Sequence, residues 1–117
     1  MRTYVRMMTS SPYRPVRELE AAIARGELDF ALAHAKEVAR ERRAPLDLGL
    51  ALDLLTLVAA QQRHAYDGWA LRWLGRWIAE ASEPTIAQAA TLARSLTEMP
   101  RDPPAAADAI RRLAKLR

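Results

Sequence analysis

Cysteine and asparagine are absent from the 117 residues, phenylalanine occurs once, and there are only four glycines and two histidines. Without cysteine there is no disulfide framework, no thiolate metal site and no thiol nucleophile, a usage that suits the reducing cytoplasm. The four glycines are scattered, so no glycine-rich loop can cradle phosphate. His34 and His64 each lack a second histidine or carboxylate four residues away, the spacing that sets two ligands on one helix face. His64 and Asp67 read as a structural pair across a turn. No metal and no cofactor are expected. The serines, Ser10, Ser11, Ser82 and Ser95, fall in the amino-terminal segment, a turn and an alanine-rich helix. None is set in a strand-turn-helix elbow with a base beside it. Glu18, Glu20, Glu37 and Glu41 read as solvated helix-surface acids. The chain is therefore expected not to be an enzyme.

Long apolar runs are missing too. The longest, residues 48–60, is shorter than the ~20 residues of a membrane span and contains Asp53. Residues 1–15 mix Arg2, Arg6 and Arg14 with Tyr4 and Tyr13, and lack the apolar segment of a secretory signal. The expected location is the cytoplasm, without a membrane partner.

What is present is a globular balance, 50% hydrophobic and 27% charged. One domain accounts for it: an amino-terminal arm over residues 1–13, without helical period, then a single helical domain over 14–117. The net charge of +4 and a pI near 10.1 invite a nucleic-acid reading. All but Lys36 and Lys115 of the cations are arginine, however, and alanine and leucine abound. Such a bias accompanies GC-rich coding whatever the function.

Six segments show helical period, and none alternates like a strand. The first opens at Pro15 and stops at Gly26, with Val16, Leu19 and Ile23 on one stripe. The second, residues 27–43, carries Leu28, Ala31, Leu32, Ala35, Val38 and Ala39 on one face. The third, opened by Pro45 with Asp47 in its first turn, is apolar almost all round from 46 to 60, which makes it the centre of the core. Tyr66-Asp67-Gly68 reads as the next turn, with Asp67 as N-cap of a fourth helix. Thr85 and Gln88 have capping-box spacing for a fifth, which ends near Met99. Asp102-Pro103 restarts the sixth, with Ala106, Ile110, Leu113 and Ala114 inward. Short connections make consecutive helices antiparallel, so the fold is all-α: six helices in three hairpins, as a short solenoid or compact bundle.

Phe30-Ala31-Leu32, Trp69-Ala70-Leu71 and Asp108-Ala109-Ile110 recur at a constant step of 39 residues, as do Glu41 and Glu80. Small residues at Ala31, Ala70 and Ala109 would let paired helices approach closely. Here the stretch from Arg25 to Leu32, with Gly26 at the turn and Ala31 as small packing residue, resembles the tetratricopeptide-like helical repeats. The later units depart from that pattern: Tyr66-Asp67-Gly68 is shaped differently and Arg101-Asp102-Pro103-Pro104 lacks glycine. The step also exceeds the family's usual ~34 residues. The likeness spans residues 15–116 as architecture and one unit by motif. It implies protein–protein interaction, and brings neither ligand nor site.

Three features are candidates for function. Asp53, an acid in an apolar helix, must be paired or lie at an interface, since a lone buried carboxylate is costly; an internal pair with Arg76 is the leading reading, and a buried specificity device for a partner is the alternative. Trp69, Trp73 and Trp77 recur every fourth residue on one face of the fourth helix, flanked by Arg72 and Arg76. Leu71, Leu74 and Ile78 offer a second face that suffices to pack this helix inward. Two readings of the tryptophans stay open: core, each burying ~150–250 Å², or a partly exposed contact for a partner or a second copy, with arginine at its rim. Arg111, Arg112, Lys115 and Arg117 form a basic face on the sixth helix, suited to phosphate or to complementing a helix C-terminus. Residues 85–90 superficially resemble the first helix of a helix-turn-helix. Arg94 and the long connector 100–104 break that match. The leading expectation is a non-enzymatic protein-interaction module, a helical-repeat adaptor or scaffold that binds a protein partner or itself as a homodimer. The alternative is a small basic nucleic-acid-associated regulator using the last helix.

Overall fold

Six helices follow one another in the computed structural model, which describes residues 14–116: α1 (Pro15–Ala24), α2 (Leu28–Arg42), α3 (Leu48–Gln61), α4 (Arg63–Glu80), α5 (Ile86–Glu98) and α6 (Pro103–Ala114). The expected arm over residues 1–13, and Arg117 of the basic face, lie outside the described residues. No strand occurs among the described residues. The all-α, three-hairpin architecture stands: α1 packs on α2, α3 on α4, and α5 on α6.

Local chemistry sets the ends of these helices. Pro15 occupies the first turn of α1, where its missing N–H costs nothing. That helix closes at Gly26, whose φ of 70° suits glycine; Gly26 N donates to Ile23 O and Glu27 N to Ala22 O, satisfying carbonyls that would be orphaned. Asp47 is the N-cap of α3 rather than a first-turn residue. Its Oδ2 accepts from Gly49 N at 3.0 Å and Leu50 N at 3.4 Å. The capping box of α5 is present in both directions, with Gln88 N donating to Thr85 Oγ1 (3.1 Å) and Thr85 N to Gln88 Oε1 (2.9 Å). Asp102 caps α6 ahead of Pro103 and Pro104.

The third connection differs from expectation. Instead of turning at 66–68, the chain reverses at Gln62, with φ −137° and ψ 61°, and α4 starts at Arg63. Asp67 is therefore an exposed residue inside α4, not its cap. The gain is packing. An earlier start places Tyr66 on the same face as Ala70, Trp73 and Trp77, and all four are buried.

Helix α3 is the centre of the core, as its apolar circumference implies. One side, through Leu54, joins Leu19, Ala22, Ala31 and Val38 of the first hairpin. The other sides, through Leu52, Leu55, Val58 and Ala59, join Tyr66, Trp73, Trp77, Leu92, Leu96, Met99 and Ile110. It packs on α1 and α2 before it, and on α4 and α6 after it. Of the alanines spaced 39 residues apart, Ala31 and Ala70 are buried and Ala109 is half-buried. Leu113, expected inward, is 44% exposed at the end of α6.

Candidate functional site

The faces of α4 are assigned differently from the sequence expectation. Trp73 and Trp77 are 4% and 6% exposed, whereas Leu71 is 69% and Ile78 42% exposed, with Leu74 between. The aliphatic residues offered as the inward face point mostly to solvent. An indole buries more apolar area than a leucine, and it also carries a polar handle. Trp73 Nε1 uses that handle by donating to Leu48 O at 3.0 Å, and the Tyr66 hydroxyl donates to Leu96 O at 2.6 Å. Both bonds tie α4 to neighbouring helices through groups that leucine lacks. Burial pushes the Tyr66 phenol well above its ordinary value, and the adjacent Asp67 carboxylate adds to the shift.

The tryptophan stripe is split. Trp77 faces the junction with α6, near Leu48 and Ala114. Trp73 spans the core and a groove, and Trp69, half-buried, lies along that groove. Arg72 and Arg76 line it as well. The Arg72 guanidinium sits over the Trp69 ring, 5.6 Å from its centroid, a cation–π contact. Arg76 pairs with Glu80 one turn on, at 3.0 Å.

This groove has α2 and α4 as walls and α3 as floor. The two walls each pack on α3 and stand apart from one another. Leu32, Ala35 and Ala39 come from α2, Ala51, Leu54 and Leu55 from α3, and Leu46 from the connection. The groove's volume is about 370 Å³, and its lining is overwhelmingly apolar. Small side chains at 35, 39 and 51 keep it open. Lys36, Arg72 and Arg76 are the charged residues that line it, and no carboxylate does.

Asp53 corrects a second expectation. Its carboxylate pairs with Arg111 of α6, not with Arg76, and Arg111 Nη2 also donates to Gly49 O at 3.2 Å. The reversal at Gln62 sets Arg76 toward the groove between α2 and α4, whereas α6 packs on α3 beside Asp53. The basic face is reduced accordingly: Arg112 and Lys115 are exposed, while Arg111 is turned inward to α3.

No group of three or more histidine, aspartate or glutamate side chains converges to hold a metal among the described residues. No helix among them is long and apolar enough to cross a membrane. In comparison with known proteins, no family model, no curated protein and no solved structure matches this chain.

Proposed function

We propose that this protein is a non-enzymatic interaction module, an adaptor or scaffold of helical hairpins whose partner seats in the groove between α2 and α4. The observation that carries this reading is Trp69. It lies half-buried along an open apolar groove, with Arg72 over its ring, and both residue types are enriched where binding energy concentrates. A packed core has no need of such a groove, and exposed apolar concavity is the usual mark of a recognition surface. The nucleic-acid reading loses ground, since Arg111 is engaged with Asp53 and leaves a sparser cationic face.

Site-specific photo-crosslinking in the source cell tests the proposal. A crosslinker placed at Ala35 is expected to give a discrete polypeptide adduct that disappears when Ala51→Arg fills the groove floor. The same crosslinker at Ala90, exposed on α5, should give none. Equal adducts from both positions, or none from Ala35, would contradict the reading.

A further inference from the structure

We infer that the groove's partner is an amphipathic helix whose apolar anchors are flanked by aspartate and glutamate. The inference rests on the interaction-module reading and adds the chemistry of the occupant.

Shape comes first. The wall of α4 runs from Trp69 to Arg76, seven helical steps, or roughly 10.5 Å at the helical rise per residue. Anchors at i, i+3 or i+4, and i+7 of a docked helix span the same length. Two helical walls standing apart over a third helix leave the place of a missing helix. A docked helix brings its backbone hydrogen bonds already satisfied, so it can enter a lining with almost no polar groups. An extended strand would bring unpaired N–H and C=O groups and find no edge to meet them.

Charge then selects among helices. Lys36 on one wall and Arg72 and Arg76 on the other put cations on both rims, with no acid between them. Neither Lys36 nor Arg72 has an ion-pair partner among the described residues. Arg76 holds Glu80 in an exposed pair, a weak commitment that a second carboxylate can share. Acidic flanks would meet both rims, and basic flanks would be repelled, so the rims set partner choice as well as attraction.

A second copy of this chain fits less well. The exposed large apolar residues it could offer, Phe30, Leu71, Ile78, Ile86 and Leu113, are scattered over α2, α4, α5 and α6 rather than gathered in one stripe that could enter the groove. Inserting them into a neighbour's groove makes a head-to-tail contact, which propagates as an open chain unless its rotation happens to close. The chain's net charge of +4 adds repulsion.

The test is selection from a display library of helical peptides. Apolar residues are fixed at i, i+4 and i+7, and the flanking positions are free to be acidic, basic or neutral. Binders are selected on the full chain and counter-selected against Ala51→Arg, with Ala35→Arg as a second groove-filling variant and circular dichroism as the check that each folds. The expected outcome is enrichment of Asp and Glu at the flanks. A selected acidic peptide should bind at least about tenfold tighter than its Lys-flanked counterpart, with the gap narrowing as salt rises. The double variant Lys36→Glu/Arg72→Glu should reverse that order. Enrichment of basic or neutral flanks, or no enrichment over both groove-filled variants, overturns the inference. So does sedimentation showing that the free protein self-assembles and that Ala51→Arg abolishes the assembly. Failure here with a groove-specific adduct at Ala35 would leave the interaction module standing with a partner of other chemistry; loss of that adduct would remove the module itself.

Discussion

Arg43 and Lys115 follow the last turns of α2 and α6 with φ of 53° and 58°, in the left-handed region where a Cβ crowds the backbone. Each sits in the same hydrogen-bonded helix ending as Gly26: Ala44 N reaches Ala39 O, and Leu116 N reaches Arg111 O. The strain is tolerated because the ending satisfies carbonyls that would otherwise be orphaned. Arg43→Gly and Lys115→Gly should each stabilise the fold by about 0.5–1 kcal/mol, read as a rise in urea midpoint. Tyr66 makes a different prediction. Folding favours its protonated phenol, so that contribution is complete below the unfolded phenol pKa near 10 and is lost as pH rises above it. Stability should therefore fall in alkaline solution more steeply than in Tyr66→Phe, which itself should cost about 1 kcal/mol at neutral pH through its lost bond to Leu96 O. Matching alkaline profiles for the two proteins would show that Tyr66 ionises as freely in the fold as outside it.

At the scale of elements, the Asp53–Arg111 pair joins α3 to α6, and so the second hairpin to the third. Both side chains keep about a third of their exposure, 34% and 27%, which moderates the pair's strength. Asp53→Asn and Arg111→Met should each destabilise by about 1 kcal/mol, and the double variant by less than their sum. Arg76→Met should be additive with Asp53→Asn; coupling between those two positions would restore the pairing that the sequence suggested. An acid in the apolar run of α3 demands a cation, and that much is local. Which cation answers depends on how α6 and α4 approach α3, which no local pattern records. The faces of α4 were ambiguous for a related reason. Trp69, Trp73 and Trp77 form one stripe, Leu71, Leu74 and Ile78 another, and hydrophobicity alone does not rank them. The hydrogen bond from Trp73 to Leu48 O decides it, and its acceptor lies 25 residues away. By contrast, Pro15, Gly26, the Thr85–Gln88 box and Asp102 act within a turn of their own positions and were legible directly. Asp67 misled because Tyr66-Asp67-Gly68 has turn composition, yet burying Tyr66 outweighs it.

For the molecule as a whole, α3 is the element around which the rest is arranged. It contacts α1 and α2 on one side and α4 and α6 on the other, and the groove is the part of its circumference that α2 and α4 leave uncovered. The composition, with its missing cysteine and scattered histidines, bears on which side-chain chemistries the chain can offer. It could not place the groove, because Leu32, Ala51 and Trp69 are brought together only by the packing of three helices. The three tryptophans now separate scaffold from surface. Trp73→Ala and Trp77→Ala remove buried indoles and should cost about 3–5 kcal/mol each, whereas Trp69, half-buried along the groove, should cost much less. The measurement that tests the account most directly is the yield of the Ala35 crosslinked adduct in Trp69→Ala, with the melting temperature recorded on the same protein. The account predicts a folded protein whose adduct is lost. An undiminished adduct from a folded Trp69→Ala protein would contradict it, as would a loss of fold equal to that of Trp73→Ala, which would make Trp69 part of the core.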